Sequence, residues 1–210
     1  MLRNALGIGV ATGAYAVSFG AVAVAAGLSV PQACATSLLL FTGASQFALV
    51  AVLGSGGTAL AGVLSALLLG SRNTLYAVRM ADLLRVRGPR RLVAAQITLD
   101  ESTAMAIAAP AGLERTAFFA TGAAIYVLWN LGTLLGALGA AHLGDPAALG
   151  LDAAVPAAFL ALLAPQLRDR TSLRVAAAGG LLALAAVPFV RPGVPVLIAG
   201  LAVVPLLVRR

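Results

Sequence analysis

Lysine is absent from this chain of 210 residues, and histidine, cysteine and tryptophan occur once each. A single cysteine, Cys34, excludes an internal disulfide and any thiolate metal site, and it reads as a packing residue in an apolar helix. The single histidine, His142, lies far from it beside Gly144-Asp145-Pro146 and reads as loop. No HExxH or GxSxG pattern occurs either, so a membrane-embedded enzyme would lack a recognisable metal or nucleophile–base set. No enzyme activity, cofactor or metal is expected. Charge is also scarce: only 10% of residues are charged, against roughly 25% in a soluble domain. All fourteen basic residues are arginines, set against seven acids. The pI near 11.3 would suit a nucleic-acid binder. The arginines, however, fall in short loops and at the C-terminus, and no soluble domain exists to carry a groove.

What is abundant is apolar. Hydrophobic residues make up 61% of the chain and mean hydropathy is +1.01. The fold class implied is all-α: a polytopic integral membrane protein forming one domain over 1–210. A first segment from about Ala5 to Leu28 carries Gly13, Tyr15, Ser18 and Gly20. It is too long and too interrupted for a cleaved signal peptide, so it reads as a retained helix. Ser29-Val30-Pro31 makes the turn, with Pro31 suited to opening the next helix. The third segment runs from Thr58 to about Met80. The loop beyond it, Arg79 to Arg91, has the densest positive charge and marks the cytoplasmic side. A lipid-binding or calmodulin-like role is conceivable for any such loop, but orientation explains it without further assumption. Later segments are expected at 92–110, 116–141, 153–167, 175–190 and 194–208.

Within the second segment, Pro31 to Leu53, the run Phe41-Thr42-Gly43-Ala44-Ser45-Gln46-Phe47 stands out. Small residues, a flexible backbone and an uncharged amide at membrane depth suit a broken helix lining a cavity, as in many transporters. The competing reading is close helix packing, in which Ser45 or Gln46 bonds across an interface. Arg72, with Asn73 beside it and Tyr76 one turn on, ends an apolar stretch. Arg72 either snorkels to the interface or meets a carboxylate or substrate inside. Asp100-Glu101 sits near the centre of the fourth segment. The pair could relay protons, pair with Arg72, or lie wet on a short element dipping into the interface. Tyr126, Trp129 and Asn130 share one face of the fifth segment and suggest a buried polar face rather than an aromatic belt.

Charge parity favours a fourth segment that does not cross, because the arginines at 168, 170, 174, 209 and 210 then join the Arg79–Arg91 loop inside. The expectation is seven crossings, with Asp100-Glu101 on a re-entrant or broken element. A faint internal repeat relates halves 1–91 and 116–210: Gly27-Leu28, Val30-Pro31 and Gln46 are echoed by Gly150-Leu151, Val155-Pro156 and Gln166. Inverted repeats of this kind accompany alternating access.

Phe41 to Phe47, Arg72-Asn73-Thr74-Leu75-Tyr76, Leu99-Asp100-Glu101 and Trp129-Asn130-Leu131-Gly132-Thr133 follow one another in an order and spacing that resembles the AzlC family. That family is the large subunit of bacterial branched-chain amino acid exporters. The resemblance covers nearly the whole chain. It implies export of valine, leucine and isoleucine, with methionine a further candidate, driven by the proton gradient across the bacterial cytoplasmic membrane. It also implies a small hydrophobic subunit of the AzlD type as partner. Two positions depart from the family's pattern: Gly70 stands where Asn or Asp is frequent, and Asn73 where His commonly follows the arginine. The expected substrate-binding residues are Gly43, Ala44, Ser45, Gln46, Phe47, Arg72, Asn73, Tyr76, Trp129 and Asn130, with Asp100 and Glu101 for proton coupling. A non-transporting assembly subunit would explain the small residues but not Arg72 or the Asp100-Glu101 pair. A transporter of another small solute is the remaining alternative.

Overall fold

The computed structural model describes residues 1–142, 160, 163–164 and 167–205. These form helices α1 (Leu2–Ala25), α2 (Val30–Leu39), α3 (Ala44–Gly54), α4 (Ala59–Leu84), α5 (Pro89–Gln96), α6 (Asp100–Ile107), α7 (Glu114–His142), α8 (Arg170–Ala186) and α9 (Val194–Ala199), the last continuing as a 3-10 turn, Gly200–Val203. No strand occurs among the described residues. Two helices, α1 and α7, are each long and apolar enough to cross a membrane.

Glycine spacing explains why α1 and α7 form the centre. Gly9 and Gly13 on α1, and Gly132 and Gly136 on α7, each recur at four residues and so line one helical face. A Cβ on Gly132 would run into the Gly13 carbonyl, one on Gly136 into the Val17 carbonyl, and one on Gly20 into the Thr133 carbonyl. Such close backbone approach needs small residues and substitutes dispersion contact for the hydrophobic drive that lipid cannot supply. Gly9 faces Ala124, Gly13 faces Leu128, and Gly20 faces Thr133 and Ala137, so the two helices run in the same direction.

Between α1 and α4 the chain turns back on itself. Ser29 opens α2 with a capping box: its backbone N–H donates to Gln32 Oε1 at 2.8 Å, and its hydroxyl accepts from the Gln32 N–H. α2 runs ten residues inward, breaks at Leu40–Gly43, and α3 returns. At its end, Gly54 lies against Ala26, where α1 stopped. Helices of ten and eleven residues span only about 15 Å each at 1.5 Å per residue, half of a bilayer core of about 30 Å. The second segment, expected from its length to cross as one element, is instead a hairpin of two short helices whose end returns to where α1 stopped. The break in its middle lets the 23 residues from Pro31 to Leu53 start and finish on one side of the bundle.

The same construction recurs from the opposite end. α4 is capped by Thr58, whose hydroxyl accepts from the Ala61 N–H, and runs to Leu84. Arg115 Nε, at the start of α7, donates to the Leu84 carbonyl at 2.6 Å. The intervening α5 and α6, eight residues each, therefore leave the end of α4 and return to the start of α7 on the same side of the bundle. Long helix plus broken hairpin (2–54) is followed by long helix plus broken hairpin (59–107) in the opposite orientation. The second copy of the repeat expected from sequence, with Gly150 and Gln166, lies outside the described residues. So do Asp145, Asp152, Arg209 and Arg210.

α9 packs on α4, with Gly193 beside Val52 and Ala61 and Gly200 beside Leu68. α8 begins at Asp169, whose carboxylate accepts from the Thr171 and Ser172 backbone N–H groups and from the Ser172 hydroxyl. These donors hold that carboxyl below the ordinary carboxylate range. His142, expected in a loop, is the last residue of α7, its Nδ1 2.7 Å from the Leu138 carbonyl.

Candidate functional site

The two hairpin breaks meet. A cavity of about 340 Å³ is lined by Thr42, Gly43 and Ala44 from the first break and by Leu99, Asp100 and Glu101 from the second. Arg72 of α4, Thr12 and Tyr15 of α1, and Ile125 and Trp129 of α7 complete most of its wall. Its size falls within the roughly 300–1,000 Å³ usual for small-molecule sites.

Each break is built by a backbone device. Gly43 adopts φ 64° and ψ −94°, a conformation that a side chain would strain, and its N–H donates to Gln46 Oε1 at 3.1 Å. In the second break, the Leu99 N–H donates to Ser102 Oγ at 2.9 Å, while the Ser102 hydroxyl donates to the Ile97 carbonyl at 2.7 Å. In both, the residue ahead of the returning helix is held by a side chain three positions on. Apart from the Gln46 N–H, which donates to the Gly43 carbonyl at 3.0 Å, the first-turn N–H groups of α3 and α6 lack intrahelical acceptors and carry the positive end of the helix dipole. Asp100 and Glu101 sit in the first turn of α6, where that dipole favours carboxylates. The first turn of α3 holds no acid, so its positive end is uncompensated.

Arg72 Nη1 and Asp100 Oδ2 are 2.9 Å apart, so the arginine meets a carboxylate instead of snorkelling. Both side chains stay open to the cavity, at 41% and 38% exposure. On the cavity wall, Asp100 Oδ1 and Trp129 Nε1 are buried without a hydrogen-bond partner among the described residues. A buried polar atom left unpaired costs free energy, which a polar ligand or water would relieve.

Of the residues expected from sequence, the structure brings Gly43, Ala44, Arg72, Asp100, Glu101 and Trp129 onto the cavity wall. The others stand behind it. Gln46 is fully buried and holds Gly43. Ser45 is buried beside Gly70, where a Cβ would lie 3.2 Å from the Ser45 hydroxyl; glycine at 70 thus brings α4 close to the start of α3. Phe47 packs against Tyr15 and Phe19, with ring centroids 5.2 and 5.3 Å apart. Tyr76 is close enough to Asp100, Arg72 and Glu101 to feel all three charges. Asn130 Nδ2 donates to the Tyr126 carbonyl at 2.7 Å. Tyr126 itself stacks edge-on with Phe41 and reaches the Leu38 carbonyl, which Gln96 Nε2 also reaches at 2.8 Å. Sequence reasoning missed Thr12, Tyr15 and Ile125. The only local signal was Thr12 and Tyr15 at a spacing of three on α1, which places them on one face.

A helical bundle whose two half-helices begin at one charged, partly apolar cavity defines a membrane protein with a solute-sized internal site. The comparisons agree: the family model described as AzlC protein matches residues 7–143, and the chain belongs to the AzlC family. A protein of Archaeoglobus fulgidus described as an uncharacterized membrane protein is 34% identical over 174 residues, covering 81% of this chain and 75% of that protein. No solved structure matches. The matched family region contains both breaks, Arg72 and Trp129, and so the whole cavity. The protein is an all-helical membrane protein with a transport-related role.

Proposed function

We propose that this chain is the large subunit of a secondary transporter that exports branched-chain amino acids, chiefly valine, leucine and isoleucine and in addition methionine. The observation that carries the reading is the convergence of both helix breaks on the Arg72–Asp100 pair in one cavity. A zwitterionic amino acid needs donors for its carboxylate, an acceptor for its ammonium and apolar walls for its side chain. The uncompensated start of α3 suits the carboxylate, with Arg72 beside it. Asp100 or Glu101 suits the ammonium, and whichever is left free suits the coupling proton. Ile125, Leu99, Phe41 and Ala11 supply apolar wall. Such a wall separates aliphatic substrates by only about 1–3 kcal/mol per methylene, so specificity among them is broad.

The orientation we propose places the ends of α4 and the starts of α1 and α7 in the cytoplasm. Because α2 and α3 turn back, the expected seven crossings become six if every later segment crosses as expected. Arg3 then joins the Arg79–Arg91 loop and Arg115 inside, and only Arg191 lies outside. The small hydrophobic AzlD-type subunit remains the proposed partner.

The test is valine efflux from bacterial cells loaded with a valine-containing dipeptide, expressing this chain alone and with an AzlD-type subunit. Efflux accelerated only with the partner supports the two-component exporter. No acceleration, with both chains confirmed in the membrane, overturns the substrate assignment. Gradient-driven export that survives both Asp100→Asn and Glu101→Gln overturns the proton role.

A further inference from the structure

A second cavity, of about 540 Å³, lies between α4 and α5, away from the site above. Its α4 wall is Ala77, Met80, Ala81, Leu84 and Arg85, at spacings of three and four that mark one helical face. Its α5 wall is Arg91, Ala94, Ala95 and Thr98, again one face. Arg87 joins from the connecting turn. Met80, Leu84 and Ala94 are buried and form the floor. The groove is therefore graded along its length. Three arginines crowd the end at the α4–α5 turn, and small or apolar side chains line the rest as α5 descends toward its break.

Those arginines are not held in close ion pairs. Among the described residues, Arg72–Asp100 is the one ion pair within 4.0 Å, so no carboxylate lies that close to Arg85, Arg87 or Arg91. Asp82 and Glu114 line an adjoining hollow with Arg115, and Arg85 borders both it and the groove. Arg85 is also the one non-glycine residue with positive φ among the described residues, at 47°. That left-handed conformation ends α4, and Arg85 Nε donates back to the Asp82 carbonyl at 3.3 Å, which leaves its terminal nitrogens for another acceptor. A basic mouth above an alanine-lined slot is complementary to one molecule: a phosphate-bearing headgroup with an acyl chain beneath it. A free anion would fill the mouth and leave the slot empty. A zwitterionic amino acid gains nothing from three like charges.

We propose that the α4–α5 groove is a binding site for an anionic phospholipid, whose phosphate is held by Arg85, Arg87 and Arg91 and whose chain lies against Ala81, Ala94 and Ala95. Occupancy would wedge the α5–α6 hairpin, which carries Asp100 and Glu101, against α4, which carries Arg72. A basic residue at the membrane surface strengthens anionic-lipid binding by about fivefold. Three acting together give a preference well beyond what net charge alone provides.

The test is native mass spectrometry of the purified full-length chain, delipidated in detergent and offered equimolar phosphatidylglycerol and phosphatidylcholine with the same acyl chains. Wild type should retain phosphatidylglycerol at least tenfold over phosphatidylcholine. Arg85→Gln/Arg87→Gln/Arg91→Gln should cut that retention at least fivefold. Arg3→Gln/Arg79→Gln/Arg90→Gln, equal in charge but off the groove, should change it less than twofold. Ala81→Phe/Ala95→Phe, which fills the slot from two exposed positions, should lower retention with all arginines present. Equal retention of both lipids, or equal loss in the two triple variants, would overturn the proposal. Displacement of the lipid by millimolar inorganic phosphate would reassign the mouth to a free anion and overturn it as well.

Discussion

Arg115 Nε lies 2.6 Å from the carbonyl oxygen of Leu84, which fastens the start of α7 to the end of α4. At the other end Gly54 rests on Ala26. These two contacts turn two apolar segments into hairpins that dip in from opposite faces. In a Cys34→Ala background, Pro31→Cys and Ser55→Cys should both react with a membrane-impermeant maleimide from outside the cell. Arg87→Cys and Ala111→Cys should react only after permeabilisation. Labelling of Pro31→Cys and Ser55→Cys from opposite sides would restore a crossing second segment and overturn the six-crossing orientation.

Breaking the Arg72–Asp100 pair should abolish transport before it abolishes folding. Both side chains are about two-fifths exposed to the cavity, so neither change strands a fully buried charge. Arg72→Gln and Asp100→Asn should each lower efflux at least tenfold while the chain still elutes as a monodisperse peak. Removing both should not restore efflux, because each group is assigned its own contact with substrate or proton. Recovery in the double variant would show that the pair serves only structure.

Gly43→Ala tests the first break. The added Cβ makes only an ordinary van der Waals contact, with Trp129 Cη2 at 3.9 Å, so any cost arises from the backbone at φ 64°. A strained residue of this kind costs about 1–3 kcal/mol. We expect a lowered thermal midpoint in detergent and a larger loss of efflux, since the start of α3 would shift. Ala44→Gly should have a much smaller effect on both.

Gly136→Ala should prevent assembly of the α1–α7 pair. Its Cβ would fall on the Val17 backbone carbonyl, which cannot rotate away as a side chain could. Overpacking costs about 1–3 kcal/mol where side chains can adjust, and more where backbone must move. Gly139→Ala on the same helix meets nothing within 4 Å and is the matched control. Comparing yields of monodisperse protein for the two variants reads the difference directly.

Much of the site was legible before the fold was. A glycine followed by small polar residues in an apolar run, an arginine near a segment end and two adjacent acids at membrane depth are each too costly to lack a purpose, and all three line the cavity. Thr12, Tyr15 and Ile125 carried no comparable cost. Thr and Tyr are tolerated in any helix face and Ile is ordinary lipid-facing material, so only the approach of α1 to α7 reveals them as wall. Gln46 and Phe47 show the reverse case: the motif singled them out, yet their side chains support the wall from behind.

Composition alone determined the environment: a chain with 61% hydrophobic residues and 10% charged must satisfy its backbone internally and so must be helical. Local chemistry also determined where the helices break, because Gly43 and the Leu99–Ser102 cap are properties of neighbouring residues. Charge parity pointed to a turn-back in the fourth segment, but the hairpin of the second emerged only in three dimensions. Hydropathy measures how apolar a segment is, not where its two ends lie. That depends on contacts between residues far apart in the chain: Gly54 with Ala26, Arg115 with Leu84, and Arg72 with Asp100.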